Sequence, residues 1–432
     1  ADNTGLASNY TLTGGTHNFT VNPKVISLSG TRLYDATTNA VASDLTTISG
    51  RVGAETLNLS GTGTLSDANV APNKTVGLGT LALGDGTGLA SNYTLSGGTH
   101  QLTVDPRPLN ATLARQYDGT TTSAGSDLSS FDALQGGETL TLSGSGTSAS
   151  ANVANGIAMS SNGDLALVDG TGLASNYSLN STVINITQRI LNSSGSKFYD
   201  ANTNALDADI SLSNLVSGEL LNHSGTATIS SANAGSYTIT NLAGITIADG
   251  SGGTASNYTL TGGTHNFTVN QRPLNATLAR QYDGTTNAAG SDLSSFDALQ
   301  GGETLTLSGS GTAANDNVAN GISVSSLGTL ALVNGTGLAS NYSLNSASLN
   351  ITQRILNSSG SKTYDANRNA LAADITLSNL VVGETLNHSG TAAISSANAG
   401  SYTITNLAGI SLADNTGLAS NYTLTGGTHN FT

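Results

Sequence analysis

The chain repeats itself about every 82 residues, and that period limits what it can fold into. A Tyr-Asp pair recurs at Tyr34, Tyr117, Tyr199, Tyr282 and Tyr364, in steps of 83, 82, 83 and 82. Ala-Ser-Asn-Tyr ends at Tyr10, Tyr93, Tyr177, Tyr258, Tyr342 and Tyr422. A Gly-Glu or Ala-Glu step marks Glu55, Glu138, Glu219, Glu303 and Glu384. Of 13 tyrosines, 11 lie in the two tyrosine motifs, so the rings belong to the repeat and not to one special pocket.

Residues 1–20 and 413–432 are identical. Their offset of 412 residues is five periods, so the expectation is an excerpt from a longer array. A missing leader peptide then carries no weight. A second period of 165 residues overlies the first. Residues 107–147 and 272–312 differ only at Thr122/Asn287 and Ser123/Ala288, while adjacent repeats diverge. Duplication of a two-repeat block accounts for that order. Selection against strand exchange between identical neighbours is the alternative.

Within one repeat, short runs alternate apolar and polar residues and are separated by turn residues. RPLNATLARQYDG places Leu109, Leu113 and Tyr117 on one parity, and ETLTLSGSGT alternates strictly. NYTLTGGTHNFTV suggests a closing hairpin around Gly-Gly. Six or seven strands at this spacing predict an antiparallel β-sandwich of Ig-like type. The expected repeats are 23–105, 106–187, 188–270, 271–352 and 353–432, after a partial repeat over 1–22. Junctions such as Asp105-Pro106-Arg107-Pro108 and Thr187-Gln188-Arg189 leave no Gly/Ser linker. The expectation is therefore all-β domains stacked end to end in an elongated rod. At roughly 3.3 Å per strand residue, five domains would span on the order of 150–200 Å.

Composition excludes several function classes. The 432 residues carry 13 Lys+Arg against 27 Asp+Glu, a net charge of −14, which argues against nucleic acid as a partner. There is no cysteine, so disulfides and thiolate metal sites are excluded. No apolar run is long enough for a membrane-spanning helix. With 4% aromatic and 9% charged residues, the chain does not read as an enzyme.

A cation stands two residues before each Tyr-Asp: Arg32, Arg115, Lys197, Arg280 and Lys362. Positions two apart share a strand face. One reading is a ligand-binding cation repeated along the array. The reading adopted is structural, with the cation paired to the matched Glu or to the Tyr-Asp carboxylate and the tyrosine anchoring the sheet. The Asn-Tyr tyrosine resembles one that pins a strand of a sandwich by bonding backbone. Asp2, Asp85, Asp169 and Asp414 open Gly-rich loops. One carboxylate each is too few for calcium, and Asn334 carries none, so these read as turns. His17, His100, His265 and His429 share one repeat position, and His223 and His388 share another. They read as exposed strand residues. No catalytic elbow, phosphate loop or dinucleotide fingerprint stands in a suitable context. No catalytic, cofactor or metal residue is assigned. Asn-x-Ser/Thr triplets such as Asn110-Ala111-Thr112 follow from the composition.

The succession basic-x-Tyr-Asp-Gly-Thr-Thr, Gly-Glu-Thr-Leu, Asn-Ala-Gly-Ser-Tyr-Thr-Ile and Ala-Ser-Asn-Tyr-Thr-Leu resembles the YDG and MBG-type repeats of very large bacterial exported adhesins. These include filamentous-haemagglutinin-like proteins exported by two-partner secretion and CdrA-like biofilm-matrix adhesins. Ala36, Ala201 and Ala366 replace the glycine of Tyr-Asp-Gly, a departure confined to a turn. The resemblance implies an extracellular, non-catalytic stalk at a cell surface or in a biofilm matrix. It also implies an outer-membrane export partner and a terminal adhesive region. The alternative is an array that itself binds matrix polysaccharide or other adhesin molecules. A continuous β-solenoid is the third reading, disfavoured because no shorter period exists inside the 82.

Overall fold

The computed structural model describes residues 3–432. Its contacts divide the chain into two compact units. One holds the residues up to Ile190 with Val216–Glu219 and Gly252–Thr259. The other holds Leu191–Leu215, Leu220–Ser251 and Leu260–Thr432. The regular structure in both is β-strand with three-residue 3-10 turns, so each unit is all-β.

The repeat from Arg107 shows how the sequence pattern becomes a fold. Its strands are β1 (Arg107–Gln116), β2 (Thr122–Ala124), β3 (Leu128–Phe131), β4 (Leu140–Ser143), β5 (Ser145–Ser148), β6 (Ala154–Ser161), β7 (Ala166–Asp169) and β8 (Tyr177–Thr187). Along β1, Leu109, Ala111 and Leu113 are buried while Asn110 and Ala114 face outward. This period of two follows from the pleat. Six strands form one sheet in the order β2-β5-β6-β8-β1-β3, and β4 pairs with β7 apart from it. Between β4 and β5 the chain bends at Gly144, whose φ is +78°. A Cβ there would lie 2.2 Å from the Asp164 carbonyl oxygen. In the third repeat, Leu221–Ile229 passes the same corner as one strand. It pairs with Ile245–Asp249 and then with Asn204–Leu206 and Gly235–Asn241. The sheet thus curls over its own core, and curled sheets recur along the chain.

Most ladders are antiparallel, as the sandwich expectation requires. In each repeat the opening and closing strands pair in parallel, as one ladder in the second and fourth repeats and as two in the first, third and fifth. β1 runs beside β8 from Arg107↔Tyr177 to Gln116↔Thr187. The missing linker supplies the reason. A chain that passes directly into the next repeat must enter and leave in the same direction. The intervening strands act as the long crossover that a parallel pair needs.

The expected Gly-Gly hairpin is a second correction. Tyr93–Thr94 and His100–Asp105 both pair in parallel with the repeat's opening strand, at Lys24–Val25 and Ser27–Leu33. The Gly-Gly segment is a loop thrown out of one edge of a continuing strand. Gly98 sits so close to the Ile26 carbonyl that a Cβ would lie 2.0 Å from its oxygen. His100 closes this loop, its ring Nε2 lying 2.8 Å from the Leu95 carbonyl oxygen. It is only 6% exposed, and His265 and His429 make the same bond while half-buried. These histidines are loop fasteners, not exposed strand residues.

The Asp loops are turns. Asp85, Asp169 and Asp414 each accept the backbone N–H that starts the following 3-10 turn, all at 2.7 Å. Asn334 accepts the same bond at the same length. One side-chain oxygen meets the need, so charge is dispensable. Asp2 lies outside the described residues.

Candidate functional site

The residues that the sequence marks in every repeat meet at the junctions between repeats. Tyr34 ends the opening strand of its repeat, and its hydroxyl donates to Glu138 Oε1 of the next at 2.5 Å. The other oxygen of Glu138 accepts from Tyr177, the Asn-Tyr tyrosine of its own repeat, at 2.6 Å. The Tyr177 hydroxyl in turn accepts the Gln135 N–H at 3.0 Å. The two rings meet edge to face, with centroids 5.3 Å apart at 76°. An edge-to-face pair contributes about 0.5–1.5 kcal/mol beyond its buried area.

The same cluster recurs as Tyr117–Glu219–Tyr258, Tyr199–Glu303–Tyr342 and Tyr282–Glu384–Tyr422. Ring distances are 5.4, 5.2 and 5.4 Å. Each cluster lies inside one compact unit. A carboxylate that accepts on both oxygens holds two rings from two repeats at once. Burial first, and then the bonded glutamate, favour the neutral phenols. Tyr177, Tyr199, Tyr258, Tyr342 and Tyr422 are pushed up to about 12, and Tyr34, Tyr117 and Tyr282 are also raised.

The cations do not reach the glutamates. Arg32, Arg115, Lys197, Arg280 and Lys362 pair with Asp35, Asp118, Asp200, Asp283 and Asp365 of their own Tyr-Asp turn. They also donate to a carbonyl five residues on, as Arg115 does to Thr120 at 2.6 Å. Burial opposes ionisation of Asp118 and Asp283. The bonds from Thr120 and Thr285 and the adjacent guanidinium still hold both below the usual carboxylate range. The cation therefore fastens a turn and leaves its tyrosine free to face the next repeat.

Two end members complete the set. Glu55 is bonded by Tyr93 of its own repeat. Tyr364 lies beyond the fifth opening strand, which ends at Gly360, and is 64% exposed.

Two further residue positions belong to the cluster and escaped the motif reading. Arg107, Arg189, Arg272 and Arg354 each donate from Nη1 to the carbonyl of the preceding Tyr-Asp tyrosine, at 3.1–3.4 Å. Asn176, Asn257, Asn341 and Asn421 each accept a backbone N–H of the preceding repeat, at 2.8–2.9 Å. The signal for these asparagines was present: they are the third letter of Ala-Ser-Asn-Tyr, next to the tyrosine that drew attention.

The core also crosses the junction. Leu109, Leu140 and Tyr177 join the buried cluster built on Leu28, Leu102 and Tyr34 of the repeat before. Likewise Leu356, Leu386 and Tyr422 join the cluster of Leu278, Tyr282 and Leu349. The site is chemically a clamp, with buried rings, one carboxylate and satisfied backbone groups.

A family described as YDG domain matches residues 16–102, 100–184, 185–265, 270–350 and 347–429. No curated protein matches the chain. With five consecutive matches that together span nearly its full length, the chain belongs to the YDG domain family.

Proposed function

We propose that the chain is a non-catalytic stalk segment of a bacterial surface or biofilm-matrix adhesin, carrying a terminal adhesive region away from the cell. The observation that supports this most is the tyrosine–glutamate–tyrosine clamp at four successive junctions. A linker would let neighbouring domains turn freely. Here a strand passes from one repeat to the next while a buried clamp fixes the contact beside it. Such an array resists bending at each joint and holds its length. The low charge and Ser/Thr/Asn-rich faces suit an extracellular location, and a chain without disulfides suits export through an outer-membrane pore.

Small-angle X-ray scattering of the five-repeat chain tests the mechanical part. A largest dimension of about 150–200 Å is expected from stacked domains. A compact particle, or one with free bending at the joints, would overturn it. Antibody labelling of intact cells that express the full protein tests the location, with surface signal expected.

A further inference from the structure

The clamp is common to all four junctions, but a second contact beside it comes in two kinds. Where the Tyr-Asp turn continues with Ala, as at Ala36 and Ala201, the following repeat opposes it with Gln-Gly-Gly before the clamp glutamate. A Cβ on Gly136 would lie 3.1 Å from the Ala36 methyl, and one on Gly301 would lie 3.7 Å from Ala201. The glutamine amides fold onto their own loop, to the Ala133 and Ala298 carbonyls. Where the turn continues with Gly, as at Gly119 and Gly284, the following repeat opposes it with Val216 or Val381. A Cβ on Gly119 would lie 2.9 Å from Val216 Cγ1, and one on Gly284 would lie 2.8 Å from Val381 Cγ1.

We infer that this contact is a pairing code that determines which repeat can stack on which. One side supplies a methyl and the other yields the space. An Ala-type turn accepts a Gln-Gly loop, and a Gly-type turn accepts a Val loop. An Ala-type turn against a Val loop places two methyl groups in space for one. Ala36, Ala201 and Ala366 all take positive φ, between 60° and 63°, so alanine is held in a conformation that suits glycine. A turn under no other demand would carry glycine, as two of the five do.

The code supplies a physical reason for the 165-residue period. Odd repeats present an Ala turn behind and a Val loop in front, and even repeats present a Gly turn and a Gln-Gly loop. A neighbour of the wrong class fits poorly, which disfavours skipped or swapped pairings during folding. Block duplication alone would make copies alike but would not require the facing residues to be coupled.

The inference goes beyond the stalk reading and is tested without it, by a double-mutant cycle in the full chain. Amide hydrogen exchange is read at Val153, which donates to Asn257 across the same junction and is unaltered in every variant. Gly119→Ala is compared in the native background and in one carrying Val216→Gln with Ser217→Gly. Turn strain is common to both backgrounds and cancels. Exchange is expected to rise more in the native background, by on the order of tenfold, a mid-range coupling for residues in contact. An equal rise in both would overturn the code. The reciprocal cycle guards against a variant that fails to fold. Gln135→Val should speed exchange of the Val70 amide, and Ala36→Gly should restore it. Absence of that rescue would also overturn the code.

Discussion

Each junction glutamate receives a phenol on both oxygens, so its charge is the acceptor that two repeats share. Glu138→Gln keeps the size but presents an amide N–H₂ to one hydroxyl. Loss of a hydrogen bond to a charged group costs about 1.5–3 kcal/mol. We expect the first and second repeats to unfold at correspondingly lower denaturant, while Glu55→Gln costs less, because among the described residues Glu55 receives a hydroxyl from Tyr93 of its own repeat alone. Equal effects would show that the bond across the junction contributes nothing. The phenols also set an alkaline limit. Tyrosine in the unfolded chain ionises near 10, and Tyr177, Tyr199, Tyr258, Tyr342 and Tyr422 are pushed up to about 12 in the folded one. Their contribution is whole below pH 10 and is lost as pH rises through about 12. Phenolate absorbance followed with folding should show these tyrosines titrating late. Ordinary titration near 10 in the folded protein would sink the clamp. The sequence made every clamp residue visible as a landmark. It could not show that Glu138 reaches back to Tyr34, because that contact spans 104 residues and two repeats.

At the scale of the strand, the same twenty letters take two forms. Over 413–432 they pair with Arg354–Ile355 and Asn357–Gly360, and Tyr422 and Phe431 are 2% and 1% exposed. Near the chain's start they form no strand among the described residues, and Tyr10 and Phe19 are 78% and 90% exposed. The strand is therefore created by its partner, which explains why periodicity found the strands but not their pairing. The Gly-Gly loop shows the same limit. Local turn chemistry pointed to a hairpin, but each flank finds a better ladder on the opening strand of the repeat, some 70 residues away. The two glycines of that loop should also differ. Gly97 has φ +85° in open space, so Gly97→Ala costs about 1–2 kcal/mol of backbone strain. Gly98→Ala forces a methyl into the Ile26 carbonyl and should cost about 3 kcal/mol, the upper end for overpacking. Thermal unfolding of the two variants, with Gly97→Ala the milder, checks the assignment. The reverse order would contradict the loop geometry.

At the scale of the whole chain, stability should depend on neighbours as much as on sequence. The third and fifth repeats are near copies, except that the fifth reaches only Thr432, the counterpart of Thr268, and so has no residues matching Val269 and Asn270. In the third, the opening strand Asn192–Phe198 pairs as far as Phe198↔Asn270, and Tyr199 is buried under Glu303 and Tyr342. In the fifth, the ladder between the opening and closing strands covers Ser358–Gly360, and Tyr364 lies exposed. Core burial inside the two repeats is otherwise alike, with Ile229 matching Ile394 and Phe267 matching Phe431. Amide exchange should therefore be slower at Ile229 and Ile239 than at Ile394 and Ile404, although the local letters are almost the same. Glu303→Gln should bring the two repeats closer together by weakening the clamp on the third alone. Equal protection in the unaltered chain would mean that each repeat is stable by itself and that the junction clamp only aligns it. Slower exchange in the third repeat, reduced by Glu303→Gln, would mean that the joint is part of each domain's fold.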